Sequence, residues 1–349
     1  MKIAHFVSLG MGGGDKCSLN IIRGLIELGH KPLVFYSEMS IPRYVNGLHN
    51  PGYEPPNRMA QYDGLVELIK INTISDFNKY DFEILHTQRS GEDTGLLPGL
   101  ERANINYKIV ETNFHGALRT RADVRAYPSE TLMSHKNIKK DNHNVCIYNA
   151  IDIPRADGNL REQFEFRDKF VFGRIARPDR SAYSPVSLRA YSQIETDNTA
   201  FLYAAPFDEA RKEAASLGIK NIAFIDPVID NEKLSQIYNT FDVLCHGNTT
   251  GETFGNTIAE GMIHGKGIVC HFGQANWPQA QPEVLGDYHD FCVGSNDVEQ
   301  YASIMKKYLE NKTFYEAATS YFYKRANDKF NYKIIAQQYI ELYKKLLEA

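Results

Sequence analysis

The sequence predicts an α/β protein built from two doubly wound, Rossmann-like parallel-sheet domains. Three observations carry that expectation. Short apolar runs without polar alternation recur along the chain, as strands buried on both faces require. Stretches with apolar residues at helical spacing separate them. The alternation breaks at the polar, proline-containing run AIDIPRADGNLREQ and then starts again. The length agrees, because 349 residues exceed what one core usually holds.

The first strand is KIAHFVSL (2–9), and a glycine-rich loop follows it. From Asp15 the apolar residues Leu19, Ile22, Leu25, Ile26 and Leu28 mark a helix, with Gly29 where a C-terminal cap belongs. KPLVFY is the next strand, so the glycines sit at the carboxyl end of the first strand of a parallel unit, the edge where ligands bind. The segment 39–62 is rich in Pro, Gly, Asn and Tyr and too long for a simple connector, which predicts a functional loop. Further strands are expected at 82–87, 107–114 and 144–149, before a domain boundary near residue 153. Beyond it, strands are expected at 170–176, 200–205, 221–226, 241–246 and 267–272. The last segment, 331–349, is an amphipathic helix with no strand after it, expected to pack back across the first domain. No internal repeat is visible.

Composition narrows the function. Hydrophobic residues at 43%, charged residues at 23%, 21 Tyr and 19 Phe describe an ordinary globular protein. A net charge of -4 supplies no basic field for duplex nucleic acid, so no nucleic-acid partner is expected and phosphate recognition should be local. Cys17, Cys146, Cys245, Cys270 and Cys292 are odd in number and widely spaced, which suits reduced thiols of a cytoplasmic protein. No run of 18 apolar residues occurs, although peripheral contact with the inner face of a membrane is left open.

Chemistry concentrates in GNTTGETFGNTIAEGM. Glu252 stands in a glycine-rich loop and Glu260 eight positions later on a helix. Phe254, Gly255, Asn256 and Thr257 lie at the start of that helix, whose unpaired N–H groups suit a diphosphate. Glu260 would then reach a ribose diol, and Glu252 whatever hangs from the other phosphate. In FGRIARPDRSAYS, Arg174 and Arg180 leave a strand end, where guanidinium groups can neutralise charge on a departing diphosphate. There is no Asp-x-Asp, so no metal is expected. Each feature has a plainer reading: a tight turn for GMGGGD, an ion pair for Arg174, a structural histidine for His115. A nicotinamide enzyme fits poorly, because GMGGGD is a poor dinucleotide fingerprint. The arginines and the glutamate pair together are harder to explain structurally.

GRIARPDR (173–180) and GETFGNTIAEGM (251–262), with GMGGGDKCSLNIIRGLIELGH near the start and YNAID (148–152) between, resemble the retaining GT-B glycosyltransferases of family 4. The likeness spans nearly the whole chain in order. It implies a GT-B fold, two domains facing across a cleft, with 1–153 on the acceptor side and 154–330 binding the donor. It implies that Arg174 and Arg180 bind the donor diphosphate, Glu260 the ribose and Glu252 the transferred sugar, with Phe254, Gly255, Asn256 and Thr257 lining the phosphate turn. Gly12, Gly13 and Gly14 match the loop near acceptor and phosphates, and His115 in TNFHG matches a histidine beside the donor sugar. Two departures stand out: Arg180 occupies a position that is usually Lys, and AAPF (204–207) stands where Gly-x-Gly is frequent.

The implied reaction moves a sugar from a UDP-, GDP- or ADP-linked donor to a hydroxyl of a saccharide, lipid-linked or other acceptor, with retention and no cofactor. A same-face route is implied, and a carboxylate nucleophile stays open. A sugar-nucleotide epimerase of the same fold and a non-catalytic nucleotide-sugar binding protein fit the same residues.

Overall fold

The structure is a computed structural model that describes residues 1–41, 44–45, 48–49, 57–89, 99–100, 105–118 and 121–349. The chain divides into two compact units: Met1–Ala150 with Tyr332–Ala349, and Ile151–Asn331. The break thus falls just before the residue expected from sequence, and the last helix is part of the first unit.

Unit 1 contains β1 (Ile3–Phe6), β2 (Leu33–Tyr36), β3 (Tyr44–Val45), β4 (Leu48–His49), β5 (Leu68–Lys70), β6 (Ile84–Arg89), β7 (Lys108–Asn113), β8 (Val124–Tyr127) and β9 (Asn144–Cys146). Seven of them form one parallel sheet in the order β5-β2-β1-β6-β7-β8-β9, and β3 and β4 pair as a separate antiparallel hairpin. The hairpin lies inside the 39–62 loop; 42–43, 46–47 and 50–56 of that loop fall outside the described residues. All four residues of β1 are buried, which explains its unalternating sequence. Unit 1 also holds α1 (Gly13–Glu27) and α2 (Glu130–His135).

Unit 2 contains β10 (Phe170–Ile175), β11 (Thr199–Ala204), β12 (Ile222–Ile225), β13 (Val243–Cys245), β14 (Gly267–His271) and β15 (Cys292–Val293), in the parallel order β12-β11-β10-β13-β14-β15. Its helices are α3 (Val186–Ser192), α4 (Asp208–Ser216), α5 (Asn231–Thr240), α6 (Asn256–Ile263), α7 (Gln281–Leu285), α8 (Val298–Glu310) and α9 (Lys312–Lys329). The terminal α10 (Tyr332–Glu348) returns to unit 1.

In each unit the strand order reverses beside the first strand, between β1 and β6 and between β10 and β13. Such switch points leave a crevice at the carboxyl ends of the strands, where open α/β sheets bind ligands. In unit 2 the loops bounding it follow β10 and β13. These carry the two motifs singled out above.

α10 explains its own place. Tyr332, Ile335, Ala336, Tyr339, Ile340 and Tyr343 recur at helical spacing and enter one core with Cys17, Ile21 and Leu25 of α1. Each such isoleucine contributes about 1.5–3 kcal/mol by leaving water. Polar pairing fixes the register: His86 Nδ1 meets the Tyr343 hydroxyl at 2.6 Å and Nε2 the Thr112 hydroxyl at 2.8 Å.

Candidate active site

Arg174 lies in β10 and is 1% exposed. Its Nε donates to the Tyr203 hydroxyl at 2.9 Å, and its Nη2 to the carbonyls of Ala182, at 2.8 Å, and Gly247. Only Nη1 has no partner. Arg174 is thus enclosed, with Nε held by a phenol and Nη2 by carbonyls of the two loops that bound the crevice, which leaves Nη1 for the diphosphate contact expected of it. Arg180 is exposed, on a turn capped by Asp179, whose carboxylate accepts from Ser181 N at 2.9 Å. Arg177, quoted in the motif without a role, is also exposed and pairs with Asp179 at 3.4 Å.

The two loops are laced together. Thr250 N donates to Ser181 O at 3.4 Å, and the Thr249 hydroxyl donates to Tyr183 O. Beneath them, His271 Nδ1 donates to Phe272 O at 2.7 Å, so Nε2 accepts from the Ser184 hydroxyl at 2.7 Å. Burial lowers the His271 pKa to about 4, and the nearby Arg174 and His246 add to it, so the ring is neutral in this role. Arg180 and Glu252 thus stand on one connected surface of unit 2.

Glu252 is held from two sides. His246 Nε2 lies 3.0 Å from its Oε1, and Asn248 Nδ2 donates to the same oxygen. Its main chain is fixed as well, with Ala280 N donating to Glu252 O at 3.0 Å. Neither His246 nor Asn248 was singled out from sequence. The signal was present, since His246 is the last residue of the run FDVLCH and Asn248 lies four positions before the glutamate.

Gly255 is the N-cap of α6 at φ 105°, a left-handed conformation that glycine adopts without strain. It turns the chain so that Asn256 and Thr257 open the helix. Phe254 does not line this turn as expected: its side chain is 1% exposed and packs edge-on against Phe330, centroids 5.2 Å apart. An apolar ring gains more from the core than from a phosphate, so it anchors the turn from below. One turn on, Glu260 Oε2 accepts from the Tyr238 hydroxyl at 2.6 Å. Burial, with the Glu260 charge beside it, raises the Tyr238 pKa well above its ordinary value, so the phenol stays a donor. The His264 ring stacks on Tyr238 at 4.7 Å.

Ala205 takes φ 52°, the left-handed conformation a glycine would have supplied, and its N donates to Ile225 O at 2.7 Å. Holding alanine there costs about 1 kcal/mol.

In unit 1, Gly13 and Gly14 open α1, and Gly12 N donates to the Asp15 carboxylate at 3.0 Å. His115 is exposed on the loop after β7, where Asn113 Oδ1 accepts from Gly116 N at 2.7 Å and shapes the turn. Among the described residues no group of three or more His, Cys, Asp or Glu could hold a metal ion, and no helix is long and apolar enough to cross a membrane.

Residues 159–325 match the family described as Glycosyl transferases group 1. No curated protein sequence matches the chain. Among solved structures, a glycosyltransferase from Rickettsia africae superposes with a TM-score of 0.72 at 14% identity, covering 99% of this chain and 98% of that one. Anabaena HepE in complex with UDP and glucose gives 0.73 at 15% identity, covering 99% and 100%. The trehalose-6-phosphate synthase OtsA gives 0.67 at 11% identity, covering 99% of each. Likeness at these identities is likeness of fold, and the fold is GT-B.

Proposed function

We propose that this chain, whose second unit carries the Glycosyl transferases group 1 match, moves a sugar from a nucleotide-diphosphate donor to an acceptor hydroxyl with retention at the anomeric carbon. The observation that carries the proposal is the pair of carboxylates at one loop–helix junction, each with its own donors: Glu252 with His246 and Asn248, Glu260 with Tyr238. Two carboxylates fixed independently on either side of a helix N-terminus suit a ligand with a diphosphate between two polyols. In this reading Glu260 holds the ribose, and the turn Gly255–Thr257 takes the diphosphate. Arg180 neutralises its leaving charge, and Glu252 orients the sugar. Arg174 keeps the two loops in place with its Nη1 left for an oxygen. Unit 1 serves the acceptor, with Gly13, Gly14 and His115 as its candidate contacts.

The fold neighbour HepE has been crystallised with UDP and glucose, which supports UDP-linked hexoses as the first donors to try. Incubating the protein with UDP-, GDP- and ADP-linked hexoses and a set of sugar acceptors tests the proposal. Free nucleoside diphosphate appearing with a new glycoside of unchanged anomeric configuration is the expected result. An isomerised donor would assign an epimerase instead, and binding without turnover a non-catalytic module.

A further inference from the structure

The chain has a single tryptophan, Trp277, and neither core takes it. It is 39% exposed, on the turn between β14 and α7. Among the described residues no ring packs on its indole and nothing accepts from its Nε1–H. One exposed apolar side chain is ordinary on a protein surface. The mounting of this one is not. Trp277 N donates to Gln274 O at 3.0 Å, and Gln279 Nε2 donates to the carbonyls of Gln274, at 2.7 Å, and Trp277, at 3.1 Å. Gln274 N in turn donates to Thr249 O at 2.9 Å, tying this turn to the loop that carries Glu252.

The two segments also touch through their main chains. A Cβ at Gly251 would lie 2.0 Å from Pro278 O and 3.0 Å from the Trp277 Cβ, so only glycine allows the approach. The main chain that carries Trp277 is therefore fixed against the residue before Glu252, and its indole is exposed there.

The geometry points to Trp277 as a sugar-contacting residue whose indole lies against the apolar C–H face of a pyranose, the transferred sugar or the acceptor's. This rests on the reading of Glu252 as the sugar-orienting carboxylate. An indole suits the task because it offers a broad apolar face and a polar edge while ordering only two side-chain torsions.

Because Trp277 is the only tryptophan, its emission reports on this turn alone. The intact chain is titrated with UDP, GDP and ADP, with hexose conjugates of each, and with methyl glucoside, recording emission and melting temperature together. A conjugate that changes emission more than its free nucleotide places the donor sugar on Trp277; a change with methyl glucoside places the acceptor there. In either case W277A should lower kcat/KM about tenfold, W277F less, and both should melt like the parent because the side chain is exposed. The inference is overturned if the conjugates raise the melting temperature while no sugar alters emission, or if W277A turns over at the parental kcat/KM. Nucleotides that fail to raise the melting temperature at all would instead overturn the donor-site reading beneath it.

Discussion

Tyr238 and Glu260 meet through one hydrogen bond, the phenol on α5 donating to Oε2 of the carboxylate on α6 at 2.6 Å. The bond fixes the carboxylate before any ligand arrives, and preorganisation of this kind lowers the cost of binding. Tyr238 is fully buried, so its position is set by packing rather than by the ligand.

The proposed reading gives the two glutamates different work. A ribose contact is equal in ground and transition states, so Glu260→Ala should weaken binding of the free nucleoside diphosphate and appear in KM. Tyr238→Phe should do the same more mildly, by about tenfold, near the lower end of what one hydrogen bond to a charged group is worth. Glu252→Ala should instead lower kcat by about 10²-fold or more and leave affinity for the free nucleotide unchanged, as expected for a group that orients the reacting sugar. Calorimetry with the nucleotide, beside steady-state kinetics, distinguishes these; equal loss of nucleotide affinity in both glutamate variants would refute the assignment.

The two arginines named together in the sequence should part under mutation. Arg174→Lys removes the planar fork that reaches two carbonyls and a phenol, so the protein should lose about 2–4 kcal/mol of stability. Arg180→Ala should melt normally and turn over 10²- to 10³-fold more slowly, as loss of a cation stabilising a leaving group does, about 3–4 kcal/mol. Urea midpoints and kcat measured on both variants are decisive. A stable, inactive Arg174→Lys would return Arg174 to direct phosphate binding.

Activity should survive chelation. In the proposed reading Arg180 and the N-terminus of α6 meet the charge on the diphosphate. Transfer measured after EDTA treatment should match the untreated rate; activity lost on chelation and restored by Mg²⁺ or Mn²⁺ would mean that a cation does this work.

Much of this was legible in the sequence, for physical reasons that also mark where it stopped. Strands such as IAHF and LVFY are buried on both faces and announce themselves as apolar runs. β8 (VRAY) and β5 (LIK) are short and carry charge, and β15 has two residues, so none of them gave a run. Glu252 and Glu260 were visible because their spacing and glycines are local. The fates of Arg174 and Phe254 were not, since burial is decided by what packs on a side chain from distant segments: Tyr203 and Gly247 for the arginine, Phe330 for the ring. Trp277 was invisible for the same reason, as its link to Glu252 runs through backbone contacts between two loops.

Acid should unfold the protein through unit 1. His5, on β1, is fully buried, neither ring nitrogen has a partner, and its ring lies 4.7 Å from that of His86. Burial pushes the His5 pKa down to about 3, and His86 is held well below its usual value by burial and by His5 beside it. The groups bonded to His86 are the hydroxyls of Thr112 and Tyr343, which offer no negative charge to stabilise an imidazolium. The unfolded chain, with histidine near 6.5, binds protons that the folded chain refuses, so stability rises with pH across this window. It should be complete above about pH 6.5 and fall as the pH drops toward 3, with each such histidine contributing a slope of up to about 1.4 kcal/mol per pH unit. His5→Leu keeps a similar volume and removes one titrating group, so its urea midpoint should fall less between pH 6.5 and 4.5 than the parent's. Equal slopes in parent and variant would show that His5 takes no part in the acid transition.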